Sequence, residues 1–228
     1  MKMQCGSTVL RCIILFFTVG AVLWPGWSPA LALDTVQAQA SLKKLGGQPQ
    51  NLLEWQSMLR EASGTSPEEK LKRVNEYFNR HIAFNSNLEV WGQGDYWATL
   101  LETLSKQKAD CKGYVVAKYF SLLELNIPVN QLRLIYVKAR IGGELSPMQL
   151  SHMVLAYYPT PEAEPLVLDN LITEIRPASR RPDLLPIFSF NSDGIFVGNS
   201  GAASVGPGGV GQLSRWADLL RRVHAEGF

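Results

Sequence analysis

A capped apolar helix in the middle of the chain constrains the fold more than any other stretch. Apolar side chains recur at helical spacing over residues 114–123, a pattern that indicates a buried helix. Asp110 stands where a helix N-cap would stand, so its carboxylate can accept from free backbone N–H groups. Cys111 then falls in the first turn, where the positive end of the helix dipole favours a thiolate. The alternative is a buried cysteine that only packs.

The first 32 residues have the three parts of a secretory signal peptide. A positively charged start precedes an uncharged apolar run, and Ala30-Leu31-Ala32 forms a small-residue cleavage site. A transmembrane anchor is the alternative, but the apolar run is short and a Pro/Gly/Ser stretch follows it. We therefore predict a cleaved signal at 1–32, a mature domain at 33–228 without a membrane anchor, and a periplasmic location.

Charge and cysteine usage narrow the class of protein. The chain has 22 Lys and Arg against 20 Asp and Glu, and the signal removes two bases (Lys2 and Arg11) and no acid, which leaves 20 against 20. This balance argues against a nucleic-acid partner, which needs a basic patch. Cys5 and Cys12 also leave with the signal. Cys111 then has no internal disulfide partner in an oxidising compartment, which favours a functional thiol.

The order of predicted elements indicates an α+β domain, because helices come first and strands follow. Residues 33–49 read as loosely ordered, 84–96 and 141–150 as loops, and 198–211 as a flexible Gly-rich loop. The periodicity predicts helices at 51–62, 67–82, 97–104, 111–123 and 212–225. The predicted strands are 132–137, 153–158, 166–168, 172–175, 187–190 and 195–197.

His152 is the best candidate for a base that takes the thiol proton. His81 fits the C-terminal end of a helix and His224 an exposed end, whereas His152 starts a predicted strand after a loop. A hairpin centred near residues 160–161 would pair His152 with Asp169, with their Cβ atoms about 5 Å apart on one face. A slip of one residue would turn these side chains apart, and a purely structural hydrogen-bonded pair is the alternative.

Cys111, His152 and Asp169 together predict acyl transfer in a papain-type arrangement. A thiol nucleophile needs a base, and the base needs a group that fixes its orientation. Cys111 would attack a carbonyl, His152 would move the proton to the leaving amine, and Asp169 would hold the imidazole. The backbone N–H of Cys111 is a candidate oxyanion donor, because it lies at a helix N-terminus.

Several stretches combine into a pattern that is specific as a whole and covers most of the mature domain. They are residues 95–99, 110–120, 151–158 and 166–171, with 181–184 and 190–194 in addition. Together they resemble the bacterial transglutaminase-like cysteine peptidases, particularly the LapG-type periplasmic proteases. The resemblance implies a papain/transglutaminase-like core in which the nucleophile lies at a helix N-terminus packed on an antiparallel sheet. It also implies Cys111, His152 and Asp169 as the catalytic triad.

The resemblance extends to a biological role. It implies cleavage of a large surface adhesin near its N-terminal retention module, which releases the adhesin and frees cells from a biofilm. It further implies restraint by an inner-membrane receptor that responds to cyclic-di-GMP and sequesters the protease.

The chain departs from this family at its calcium ligands. LapG-type members usually have Asp-Cys-Glu-Asp, whose carboxylates bind calcium, whereas this chain has Asp110-Cys111-Lys112-Gly113. Ca²⁺ takes about six to eight oxygen ligands, several of them anionic. The loss of two carboxylates and the gain of an ammonium predict a member that needs no cofactor and no metal.

Two alternatives to a peptidase remain open from the sequence. A transglutaminase or amidase would use the same triad with an amine or water as acceptor. A binding module that keeps the fold without activity would fit the change at Lys112 and Gly113.

Overall fold

The structure, a computed structural model, describes residues 33–142, 146–196 and 214–228. The predicted signal peptide (1–32) and the Gly-rich loop (198–211) lie outside the described residues. Within the described ranges, no helix is long and apolar enough to cross a membrane. The described helices, in chain order, are α1 (Thr35–Lys44), α2 (Pro49–Ala62), α3 (Pro67–His81), α4 (Asn87–Trp91), α5 (Leu100–Lys106), α6 (Cys111–Glu124) and α7 (Ser214–Ala225).

An antiparallel sheet forms the second layer of the fold. The strands are β1 (Ala83–Phe84), β2 (Lys108–Ala109), β3 (Leu132–Arg140), β4 (Gln149–Tyr157), β5 (Leu166–Leu168), β6 (Arg176–Pro177), β7 (Leu184–Phe190) and β8 (Ile195–Phe196). The order β6-β5-β4-β3-β7-β8 makes one six-stranded sheet in which all neighbours are antiparallel, while β1 and β2 pair separately in parallel. This confirms the predicted α+β class.

The central helix α6 packs against β3 and β4 and supplies much of the core. Its Tyr119 and Phe120 are buried, and both rings contact Trp216 of α7, with ring centroids 5.9 and 6.3 Å away. Phe190 of β7 meets Trp216 edge-on at 5.3 Å. The terminal helix therefore packs back on the domain, as its amphipathic pattern predicted.

Local capping explains why α3 forms where the sequence predicts it. Ser66 caps the helix by accepting from the backbone N–H of Glu69, and Pro67 occupies the first helical position, where no N–H is needed. Helix α2 then ties to α6, because the buried Trp55 donates its indole N–H to Ser121 Oγ at 2.8 Å. These contacts fix α6 against the helical layer.

The expectation of a loosely ordered segment at 33–49 is wrong over most of its length. Asp34 caps α1 by accepting from the backbone N–H groups of Val36 and Gln37. Ala38 and Leu42 are buried, and Asp34 N donates to Gly227 O at 2.8 Å. Contacts with the far end of the chain thus stabilise a helix whose own sequence pattern is weak.

Other boundaries also differ from the prediction. The segment 84–96 contains the short helix α4, and the helix expected at 97–104 begins at Leu100, because Thr99 caps it. Strands β3, β4 and β7 are longer than predicted, and β4 begins at Gln149, so His152 lies inside the strand rather than at its start. Residues 172–175 form no strand, and β6 follows them at Arg176–Pro177.

Candidate active site

Cys111 is the first residue of α6 and is half-buried. Asp110 caps the helix, and its Oδ1 accepts from the backbone N–H groups of Lys112 and Gly113 at 3.0 and 3.2 Å. The dipole at this end of the helix contributes a local positive potential. The thiol therefore lies in the first turn of the helix, at the position that the sequence predicted.

His152 lies on β4 with its side chain against the start of α6 and is buried. Its Nε2 donates to Asp169 Oδ1 at 2.7 Å, because an ionised carboxylate only accepts. The Cys111 side chain interacts with the same ring and raises the pKa of His152. Since Nε2 is occupied by Asp169, Nδ1 is the ring nitrogen that serves Cys111. The structure thus brings together the three side chains that the sequence singled out.

The predicted hairpin register is wrong by two residues. Leu155 pairs with Leu168 and Ala156 with Val167, whereas the prediction paired Val154 with Val167. The turn is centred one residue further along the chain than expected, and Ala163 N donates to Thr160 O within it. Because the shift is even, every side chain keeps its face. His152 and Asp169 are therefore diagonal neighbours rather than direct partners, which a hydrogen bond can still span.

Asp169 has a further partner, Arg181, which the sequence analysis did not assign a role. Arg181 Nη2 donates to Asp169 Oδ2 at 2.8 Å, and the same guanidinium makes two bonds to Asp183, at 2.9 and 2.8 Å. The backbone N–H of Leu171 donates to Asp169 Oδ1. Arg181 and Asp169 are both buried. The motif at 181–184 was visible in the sequence, but no spacing rule could place its arginine on Asp169.

Electrostatics in the site favour a charged His152–Asp169 pair. Burial lowers the pKa of His152, but hydrogen bonds to Asp169 and Cys111 outweigh it and raise the pKa to about 9. Burial raises the pKa of Asp169, yet the bonds and charges of His152 and Arg181, with the Leu171 N–H, lower it to about 2. At neutral pH the imidazole is therefore protonated and the carboxylate ionised.

A lysine ammonium lies at the position where the sequence resemblance predicts calcium ligands. Lys112 Nζ lies 2.5 Å from Asp110 Oδ2 and 3.6 Å from Asp95 Oδ1. Burial lowers the pKa of Lys112, but Asp110, Cys111 and Asp95 raise it above its ordinary value. Among the described residues, no group of three or more His, Cys, Asp and Glu side chains could hold a metal ion. These donors do not fit a calcium ion.

Gly113 makes an acidic ligand at its position sterically difficult. A Cβ built on Gly113 would lie 2.8 Å from the Cβ of Ala109, closer than two carbon atoms approach without a shift of the backbone. The glycine therefore lets the first turn of α6 pack on β2, and the family's second acid would disturb that contact.

An α+β fold in which a helix with a cysteine in its first turn packs on an antiparallel sheet agrees with a transglutaminase-like protein. The family model of the bacterial transglutaminase-like cysteine proteinases (BTLCP) matches residues 54–182. The chain belongs to this family of cysteine peptidases.

Solved structures of a relative from Legionella pneumophila agree with this assignment. LapG from that organism is 28% identical with a TM-score of 0.68, covering 84% of this chain and 98% of LapG. The EGTA-treated form has the same identity and coverage and a TM-score of 0.70. The calcium-bound form is 30% identical with a TM-score of 0.67, covering 80% of this chain and 97% of LapG. No match was found among curated proteins.

Proposed function

We propose that the protein is a periplasmic cysteine endopeptidase in which Cys111 is the nucleophile, His152 the acid and base, and Asp169 the group that orients His152. The observation that carries this proposal is the buried His152–Asp169 pair, with 2.7 Å between His152 Nε2 and Asp169 Oδ1, beside a Cys111 side chain that raises the pKa of His152. Membership of the cysteine peptidase family supports the same chemistry.

The reaction begins with the thiol proton already on His152. The Cys111 thiolate attacks the carbonyl carbon of the scissile peptide bond and forms a tetrahedral intermediate, whose oxyanion the Cys111 backbone N–H stabilises. His152 then gives its proton to the leaving amine as the C–N bond breaks, which leaves a thioester on Cys111. Neutral His152 next takes a proton from water as the hydroxide attacks the thioester carbonyl. The C–S bond then breaks, which releases the acid product and restores the thiolate–imidazolium pair.

The substrate in this proposal is the N-terminal region of a large surface adhesin, whose cleavage controls release from a biofilm. Support comes from the resemblance to LapG-type proteases and from the similarity to Legionella LapG. Restraint by an inner-membrane cyclic-di-GMP receptor belongs to the same proposal.

Calcium independence is the second part of the proposal. Lys112 supplies a built-in cation between Asp110 and Asp95, at the place where family members carry acids. The Legionella protein has been solved in calcium-bound and EGTA-treated forms, so the two proteins can be compared under one protocol. Calorimetry should detect no tight calcium binding to this protein, and a calcium requirement for activity would contradict this part.

The test of the function is digestion of the host's large repeat-containing adhesin by the purified chain 33–228. Wild type and Cys111→Ala are compared with calcium and with EGTA, and an active LapG on the same adhesin is the positive control. A discrete N-terminal cut by wild type in both conditions is expected. No cut, while the control cuts, would contradict the proposal. Ammonia release from a glutamine substrate would then favour the transglutaminase or amidase. A Cys111 thiol that does not react with iodoacetamide would favour the inactive binding module.

A further inference from the structure

A lysine is completely buried two turns along the helix that begins with Cys111. Lys118 has no exposed surface, although a lysine is rarely placed in a core because burial of its charge is costly. It lies on the same side of α6 as Cys111, since seven residues make two helical turns. The mechanism above does not use this side chain, so its burial needs another explanation.

Two asparagines of α3 receive the Lys118 ammonium. Nζ donates to Asn75 Oδ1 at 2.7 Å and to Asn79 Oδ1 at 2.8 Å. The two asparagines are one turn apart and share a face of α3. Because the Lys118 ammonium donates, and backbone carbonyls lie on the far side of both amides, each amide has its oxygen toward Lys118 and its NH₂ group away from it.

The outward NH₂ groups hold the segment that carries Asp169. Asn79 Nδ2 donates to the backbone O of Asp169 at 2.8 Å, and Asn75 Nδ2 donates to the backbone O of Thr173 at 2.7 Å. Residues 169–175 follow β5 without regular secondary structure. Side chains of α3 therefore satisfy carbonyl groups that a sheet ladder would otherwise pair.

We propose that Lys118, Asn75 and Asn79, the Lys118 clamp, are positioning residues that hold Asp169, and through it His152, in register with Cys111. The inference rests on the proposed function. The clamp joins the helix of the nucleophile to the segment of the orienting carboxylate through three side chains. A displacement of Asp169 would move His152 from the thiol, and a misplacement of about 1 Å can cost about 100-fold in rate.

The clamp is independent of the charge on Lys118. Burial lowers the pKa of Lys118 to about 7, and the negative charge of Asp169 raises it. The Tyr114 ring, 5.6 Å from Nζ, is the other group that faces the lysine. A neutral amine still has two N–H bonds, so both hydrogen bonds to the asparagines persist when the proton is lost.

Alkylation of Cys111 by iodoacetamide between pH 5.5 and 9.5 tests the clamp without a known substrate. Lys118→Met removes the donors, and Asn79→Asp keeps an acceptor for Lys118 but replaces the donor to Asp169 O by an oxygen. Lys70→Met is the matched control. Lys70 also joins α3 to the C-terminal end of α6, because its Nζ donates to Leu125 O at 2.9 Å, but this bond does not involve the segment that carries Asp169. Thermal unfolding of each variant is measured in parallel.

Wild type is expected to react rapidly at pH 6, because its thiolate is paired with protonated His152. Both clamp variants should lose about tenfold at pH 6 and stay within about twofold at pH 9.5, where any thiol ionises. Lys70→Met should keep the wild-type profile. A lower melting temperature with an unchanged pH profile in both clamp variants would reduce the clamp to a structural role and overturn the inference. A wild-type profile like that of a free cysteine would overturn the proposed function itself.

Discussion

Replacement of Arg181 by methionine tests the buried charge network behind His152. Methionine keeps an unbranched apolar stem but removes three hydrogen bonds, one to Asp169 and two to Asp183. The Arg181 side chain is 1% exposed and that of Asp169 fully buried, so the loss removes one of the two cations that Asp169 contacts, the other being protonated His152. Removal of one partner from such a pair costs about 3–5 kcal/mol. For a domain of this size we expect a drop of about 6–20 °C in melting temperature.

The effect of Arg181→Met should depend on pH in a defined direction. Burial raises the pKa of Asp169, but His152, the Leu171 N–H and, to a smaller extent, Arg181 outweigh this effect, so the pKa falls from 3.8 to about 2 on folding. A shift of about two units corresponds to about 2.5 kcal/mol. Because the folded pKa is depressed, this stability is present above about pH 4 and is lost as the pH falls toward 2. The gap between wild type and variant should therefore be largest near pH 7 and shrink below pH 4.

Scanning calorimetry from pH 7 to pH 3 measures both effects, with Arg176→Met as the matched control. Arg176 pairs with Glu174 at 2.6 Å, but the two side chains are 37% and 64% exposed. Such a surface pair contributes about 0–1 kcal/mol. Equal melting temperatures for the two variants, or a gap that stays constant in acid, would refute the reasoning.

Three further changes test the packing around the site. Gly113→Ala should destabilise by about 1–3 kcal/mol because its Cβ would meet that of Ala109 at 2.8 Å, and Ala109→Gly should restore most of the loss in chemical denaturation. Ser121→Ala leaves the buried Trp55 indole N–H without its acceptor and should cost about 1–3 kcal/mol; adding Trp55→Phe should cost less than the sum, which a double-mutant cycle measures. Burial raises the pKa of Glu226 to about 7, so its ionisation costs stability as the pH rises from 4.5 to 7. Urea unfolding of Glu226→Gln should show a gain of up to about 3 kcal/mol at pH 8 and little at pH 4, and equal gains would contradict the assignment.

Local signals explain the part of the fold that the sequence could predict. Asp110 and Ser66 cap α6 and α3 with their own side chains, so the starts of these helices are encoded within a few residues. The sequence also predicted that His152 and Asp169 lie on the same face of the sheet, although the predicted register of β4 and β5 was wrong by two residues. The alternation of a strand has a period of two, so an even error preserves the face.

The remaining features depend on contacts between distant parts of the chain. Helix α1 is held by contacts with residues 225–227, which no local pattern reveals. Arg181 contacts Asp169 only because the chain returns beside β5. Lys118 appears in the sequence only as a polar residue within an apolar helix. Its partners on α3 lie 39 and 43 residues away.

The protonation state of His152 tests the central claim most directly, because the proposed mechanism needs an imidazolium beside the Cys111 thiolate. The chain has three histidines, so an NMR titration of ¹⁵N-labelled protein has few imidazole signals from which to resolve that of His152. The account predicts a pKa of about 9 for His152 in wild type and a clear fall in Cys111→Ala, because Cys111 contributes to raising it. An ordinary His152 pKa in wild type, or one that Cys111→Ala leaves unchanged, would contradict the account.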